Sequence, residues 1–259
     1  MTTDGSPTNG SPTNGSPTNG SPTNGSPTNG DGDGDLPAGA FSTWLADMQA
    51  ALRAERDADV PCGGCTACCR SSQFVHIGPD EADALAHIPA ELLFPAPRMP
   101  SGHVLMGYDE RGRCPMLTND GCSVYEHRPR TCRTYDCRVF AAAGVEPNDD
   151  DLRRGGLPRD DLPGDDRADI AARARRWRFD FPAEADRTEH GAVRAAAEFI
   201  SQHGELLGEG VGPIGASPLA VLAVELHGLF LGGAPPDGPK VVEPDVDAVR
   251  VALRSRARR

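Results

Sequence analysis

Every cysteine of this chain lies between Cys62 and Cys137, and four of the eight fall in the run CGGCTACC, residues 62–69. No other feature limits the possible fold so tightly. Thiolates crowded together repel one another unless a cation neutralises them, and a coordinating metal keeps them deprotonated. Cys62, Cys65 and Cys68 stand at i, i+3 and i+6. A tight backbone turn brings three such sulfurs toward one centre, and Gly63 and Gly64 allow that turn while leaving space for amides to face the sulfurs. Cys68 and Cys69 are adjacent, so one can ligate while the other packs or binds a second ion.

The remaining four are spaced C-x7-C-x9-C-x4-C, as Cys114, Cys122, Cys132 and Cys137. No regular zinc-finger spacing is present, so a centre must be assembled from distant parts of the chain. The opening C-x2-C-x2-C is the start of a bacterial ferredoxin run, without its C-x3-C-P end. Two ligand chemistries follow: an iron–sulfur cluster, which is the reading favoured from sequence, or one or two zinc ions. His76 and His127 are the nearest histidines, with ordinary structural roles the expectation for both. Arg128, Arg130, Arg133 and Arg138 bring positive charge close to Cys132 and Cys137, where guanidinium groups stabilise thiolates or an anionic cluster. Glu126 is placed to pair with one of these arginines. Arg128 and Arg133 are expected to support the centre, and Tyr125 and Tyr135 to pack against it and exclude water.

The motifs CGGCTACC (62–69), RCPML (113–117) and GCSVYEHRPRTCRTY (121–135) resemble the CxxCxxCC cysteine-cluster family, the YkgJ-like proteins. The resemblance covers about a third of the chain. It implies a zinc- or iron-chelating domain whose ligands fall on Cys62, Cys65, Cys68, Cys69, Cys114, Cys122 and Cys132, with Cys137 just past the shared pattern. Some relatives are described as ferredoxin-like or iron–sulfur proteins. A related cysteine pattern occurs in flagellin lysine N-methylase, but the helical remainder of this chain carries nothing that extends that activity to it.

Around the cysteines the chain divides by composition. SPTNG repeats five times from Ser6 to Gly30, offering no apolar residue to a core, so residues 1–35 are expected to be a disordered lead-in. An amphipathic helix is expected within 36–57, where Phe41, Trp44, Leu45, Met48 and Leu52 share a stripe. The cysteine module spans 58–140, an acidic Gly/Pro-rich loop 141–167, and a helical remainder 168–255. In that remainder helices are expected over 170–179 and 189–207, from a Ser217 cap with Pro218 at the first helical position, and over DVDAVRVALRSR. Within the module a helix runs from near Pro79 to Pro89. Strands are expected at QFVHI and at HVLMGYD, with RCPMLT returning as hairpin partner, and a short helical turn in CSVYEHRP stops at Pro129. The fold class is therefore a small α+β fold, mostly helical, with a short antiparallel hairpin in a metal-stapled module. So small a module is marginal without a staple, and metal-binding energy is folding energy.

The net charge of −12 disfavours a general nucleic-acid surface. No window reaches the roughly 20 apolar residues of a membrane span, and no secretory signal is visible, so a cytoplasmic monomer with reduced thiols is expected. HExxH, P-loop and G-x-S-x-G signatures are absent, and GEGVGPIG (208–215) has the wrong spacing for a nucleotide loop. Three functions follow: an iron–sulfur protein with an electron-transfer role and a protein redox partner, a structural zinc protein that presents a surface to a partner, and a metal- or cluster-dependent enzyme.

Overall fold

The computed structural model describes Met1 and residues 34–58, 60, 65–71, 73–97, 99–147, 170–207, 214–233 and 238–256. The SPTNG repeats, Cys62 with Gly63 and Gly64, residues 148–167 of the acidic loop and most of GEGVGPIG lie outside the described residues. The fold is α+β and mostly helical, with short strand pairs. In chain order the elements are β1 (Leu36–Ala40), α1 (Phe41–Leu52), β2 (Val75–Ile77), α2 (Ala82–His87), β3 (Leu93–Pro95), β4 (Val104–Met106), β5 (Leu117–Thr118), β6 (Gly121–Cys122), α3 (Arg130–Arg133) and α4 (Arg138–Ala143). Then come α5 (Ile170–Arg176), β7 (Trp177–Asp180), α6 (Glu184–Gln202), α7 (Ala216–Leu226), β8 (Leu231–Gly232), β9 (Lys240–Val241) and α8 (Val246–Arg256). No helix among the described residues is long and apolar enough to cross a membrane.

Two apolar cores divide these elements. The larger gathers α1, α4, α5, α6, α7 and α8. In α6 the inward face is Ala192, Val193, Ala196, Ala197 and Ile200, the i, i+1, i+4, i+5, i+8 spacing of a buried helical stripe. Ala220 and Ala223 of α7 and Ala142 of α4 are also fully buried; such small side chains let helix axes approach closely. Phe41 fills the space beside them, fully buried among the rings of Trp44, Phe179, Phe181 and His190. A buried phenylalanine of this kind contributes about 1.5–3 kcal/mol from the hydrophobic effect.

Polar groups fix the direction of this core. The Asp186 carboxylate accepts hydrogen bonds from the Ser42 amide (2.9 Å) and the Ala183 amide (2.8 Å), so one side chain satisfies orphan donors at the starts of both α1 and α6. The bonds from Ser42 hold its carboxyl below the usual carboxylate range. Asp136, 3% exposed, accepts from the Trp44 indole N–H at 2.8 Å and pairs with the Arg138 guanidinium at 2.9 Å. Arg138 also donates to the Ala38 carbonyl, 3.2 Å away, and so joins α4, α1 and β1. Helix α4 ends at Gly144, which adopts φ of 64°; a Cβ there would meet the Arg194 guanidinium at 2.5 Å.

The smaller core lies under a three-stranded antiparallel sheet in the order β2-β4-β3. Val75 pairs with Met106 and Met106 with Leu93, and these face inward with Ile77, Ala84, Ile88 and Val124. HVLMGYD was expected to pair with RCPMLT, but β4 pairs instead with β2 and β3. Asp109 ends that strand: its carboxylate accepts from the amides of Arg111 and Arg113, a local turn that competes with continued pairing. The return strand forms a shorter hairpin of its own, β5 with β6, across the Asn119–Asp120 turn. Two further expectations are corrected. The helix expected over 170–179 stops at Arg176 and continues as β7, which pairs in parallel with β1. Gly215, not Ser217, caps α7, and Pro218 sits inside its first turn, where its missing N–H costs nothing.

Candidate metal centre

Local turns place five of the cysteines near enough to affect one another's ionisation, although no three of the described thiols lie within 4.8 Å of one another. The amide of Cys114 donates to the carbonyl of Cys69 at 2.7 Å, which fastens the RCPML segment to the end of the first cysteine run. Hairpin β5–β6 then turns the chain back, placing Cys122 opposite Leu117. Pro129 starts α3, and the Cys132 amide donates to the Pro129 carbonyl at 2.9 Å. Glu81 fixes that helix against the sheet. Its carboxylate accepts from the Gly78 amide at 2.8 Å and the Arg130 amide at 2.5 Å, while the Thr131 hydroxyl donates to the His76 carbonyl at 2.7 Å. Cys114, Cys122 and Cys132 all pack against the small core.

The ionisation of these thiols is linked. Burial, and then the negative charge of Cys114, Cys68 and Cys122, pushes the Cys132 thiol up to about 12. Burial also raises Cys114, with Cys122 and Cys68 adding to it. Cys68 and Cys69 share a hydrogen bond that lowers the Cys68 thiol to about 7 and raises that of Cys69; backbone N–H groups and the charge of Arg128 help Cys68 downward. Cys68 is thus the thiolate of the pair, and it is exposed. In metal-free, reduced protein, iodoacetamide should react first at Cys68, with a midpoint near pH 7 rather than the 9.0 of an ordinary thiol. Peptide mass spectrometry across a pH series checks this. Modification beginning at another cysteine, or a midpoint near 9, would show that the pair does not share its proton this way.

Cys65 and Cys137 pack against the large core, and Cys137 accepts a hydrogen bond from the Trp177 indole at 3.2 Å. Cys65, Cys68, Cys69, Cys114, Cys122 and Cys132 are free thiols. Cys62 lies outside the described residues.

The supporting residues divide as well. Arg128 acts on Cys68 and Cys132 through its charge and stacks on the Tyr125 ring at 3.6 Å. Tyr125 was expected to seal the centre, but it is 57% exposed. Tyr135 packs against the large core. Arg133 reaches Asp57 at 3.1 Å and Arg130 reaches Asp80 at 2.6 Å, so neither takes Glu126 as its partner in these pairs. Arg138 is committed to Asp136. His76 shares a hydrogen bond with His103 across 2.9 Å.

Among the described residues, one group of three potential ligands has its atoms all within 4.8 Å: Asp83, His87 and His127. His127 had been weighed as a ligand, whereas Asp83 and His87 were missed. Their signal was the i, i+4 spacing of an acid and a histidine on one helix face.

Residues 61–149 match the family described as "CxxCxxCC: Putative zinc- or iron-chelating domain". The match covers about a third of the chain. No curated protein and no solved structure matches the chain. The matched stretch contains the whole smaller core, the five cysteines described above and the Asp83–His87–His127 group, and it runs on through α4 into the larger core. Its donor chemistry suits a borderline divalent metal: thiolate sulfurs and imidazoles are ligands for zinc and iron, and hard cations such as magnesium take oxygen.

Proposed function

We propose that this protein is a metal-binding protein whose CxxCxxCC domain holds a zinc-class ion through thiolates drawn from Cys68, Cys69, Cys114, Cys122 and Cys132. The observation that carries the reading is that Cys69, Cys114 and Cys132 each feel the charge of sulfurs contributed by other segments. Four thiolates complete a tetrahedral zinc site, and a bound ion would remove the repulsion that now raises Cys114 and Cys132. Arg128 would offset part of the remaining negative charge. Zinc when bound supplies neutralisation and cross-linking, and no electron.

An iron–sulfur cluster, favoured from the sequence, has less support. A ferredoxin-like run seats its cluster with sulfurs at i, i+3 and i+6. Here the middle member, Cys65, lies against the large helical core together with Cys137, apart from the small core that holds Cys114, Cys122 and Cys132. A redox-silent ion that staples the small core and leaves its outer face for a partner fits this division better.

Metal and acid-labile sulfide content of anaerobically purified protein tests the proposal. The expected result is a colourless sample containing zinc without sulfide. Brown protein with iron and sulfide in equal amounts would replace the zinc reading with a cluster.

A further inference from the structure

Asp83 and His87 lie one helical turn apart on the outer face of α2, whose inner face carries Ala84 into the small core. His127 closes the turn Tyr125–His127 and comes to rest on them. Its ring lies flat on that of His87, with centroids 3.5 Å apart and planes 2° from parallel. Both Nδ1 atoms face the same carboxylate: that of His127 is 2.9 Å from Asp83 Oδ2, and that of His87 is 3.6 Å from Oδ1. An ion bound at about 2.1 Å sets neighbouring ligand atoms about 3.0 Å apart in octahedral geometry and about 3.4 Å apart in tetrahedral geometry. The observed spacings are close to that range.

We propose that Asp83, His87 and His127 form a second cation site, separate from the thiols, for a borderline divalent ion such as zinc or cobalt. Two imidazoles and one carboxylate suit zinc, iron or cobalt and do not suit calcium or magnesium. One carboxylate leaves a bound divalent ion with net positive charge, and three protein ligands leave coordination positions open. The site is exposed, so water or a small anion fills those positions and the ion exchanges freely. The ion replaces the proton that His87 Nδ1 now donates to the Asp83 carbonyl at 2.8 Å. Because imidazole lone pairs lie in the ring planes, binding also splays the two stacked rings apart at their Nδ1 edges. The nearby Arg133 guanidinium, which favours the ionised Asp83, is occupied by Asp57. This inference rests on its own three residues and does not need the thiols to bind metal.

Anaerobic cobalt(II) titration of the full-length, metal-free chain tests it. Cobalt on thiolates gives a sulfur-to-cobalt charge-transfer band, whereas cobalt on imidazole and carboxylate does not. Wild type should take up one more equivalent than His87→Gln or Asp83→Asn, with the sulfur band equal in all three. Equal uptake by wild type and both variants overturns the second site, and so does a loss that removes the sulfur band too. A missing sulfur band in wild type, with the histidine-dependent equivalent retained, defeats the thiol reading and leaves this site standing. Wild-type protein alone supplies a second readout that needs no variant to fold. On adding Zn(II), the ring signals of His87 and His127 in nitrogen-15 spectra should shift together, and unchanged signals overturn the site.

Discussion

Replacing Asp136 with alanine should destabilise the protein by about 3–5 kcal/mol, the usual cost of removing one member of a buried ion pair. The side chains of Asp136 and Arg138 are 2% and 10% exposed. Without the carboxylate the buried Arg138 guanidinium loses its Asp136 partner, and the Trp44 indole N–H loses its acceptor. Three elements lose their common anchor, because Arg138 reaches β1 through Ala38 and Trp44 belongs to α1. The double variant Asp136→Leu, Arg138→Met should recover part of the loss, since it removes the buried arginine charge along with the carboxylate. It should still lack about 1–3 kcal/mol for the stranded indole. Urea unfolding measures both. A loss below about 1 kcal/mol in the single variant, the scale of an exposed pair, would mean that water reaches the site.

The second large effect concerns the metal. Among the described residues the small core buries six apolar side chains, Val75, Ile77, Ala84, Ile88, Met106 and Val124, a modest number for an independent core. Structural zinc contributes about 10–16 kcal/mol of apparent binding free energy in small peptides, comparable with the whole stability of an ordinary domain, about 5–15 kcal/mol. Stripping the ion, or substituting Cys132→Ser, should therefore open the β2–β4–β3 sheet to fast amide exchange while α6 and α7 stay protected. Cys137→Ser serves as the control: its sulfur faces Trp177, so it should retain the metal and the protected sheet. Hydrogen exchange read by mass spectrometry distinguishes these outcomes. Equal protection of the sheet with and without metal would show that the small core holds itself together.

The helices of this fold were legible in the sequence where one apolar stripe decided the matter. Phe41, Trp44, Leu45 and Met48 all point inward from α1 as their spacing requires, and so do Val193, Ala197 and Ile200 from α6. Strand partners were not legible. Leu36–Ala40 contains proline and glycine and little to mark it as a strand, yet it pairs with Trp177–Asp180 because the large core brings those ends together. The cysteine spacing pointed to a centre built from distant segments, and five sulfurs do influence one another. It gave no sign that Cys65 and Cys137 would pack against the large core, because Trp177, which meets the Cys137 sulfur, lies far off in sequence. Tyr125 shows the opposite error: an aromatic beside a cysteine motif suggested a lid, but its ring is engaged from outside by Arg128.

The parallel pairing of β1 with β7 has a consequence for how the chain is made. Leu36 meets Trp177 only after the intervening stretch has been synthesised, and loop closure over such a separation comes late in folding. Translation releases the chain from its beginning, so every thiol leaves the ribosome before the helices that complete the larger core exist. The nascent cysteine segment therefore emerges with α1 already made but without the helices that follow it, from Ile170 onward.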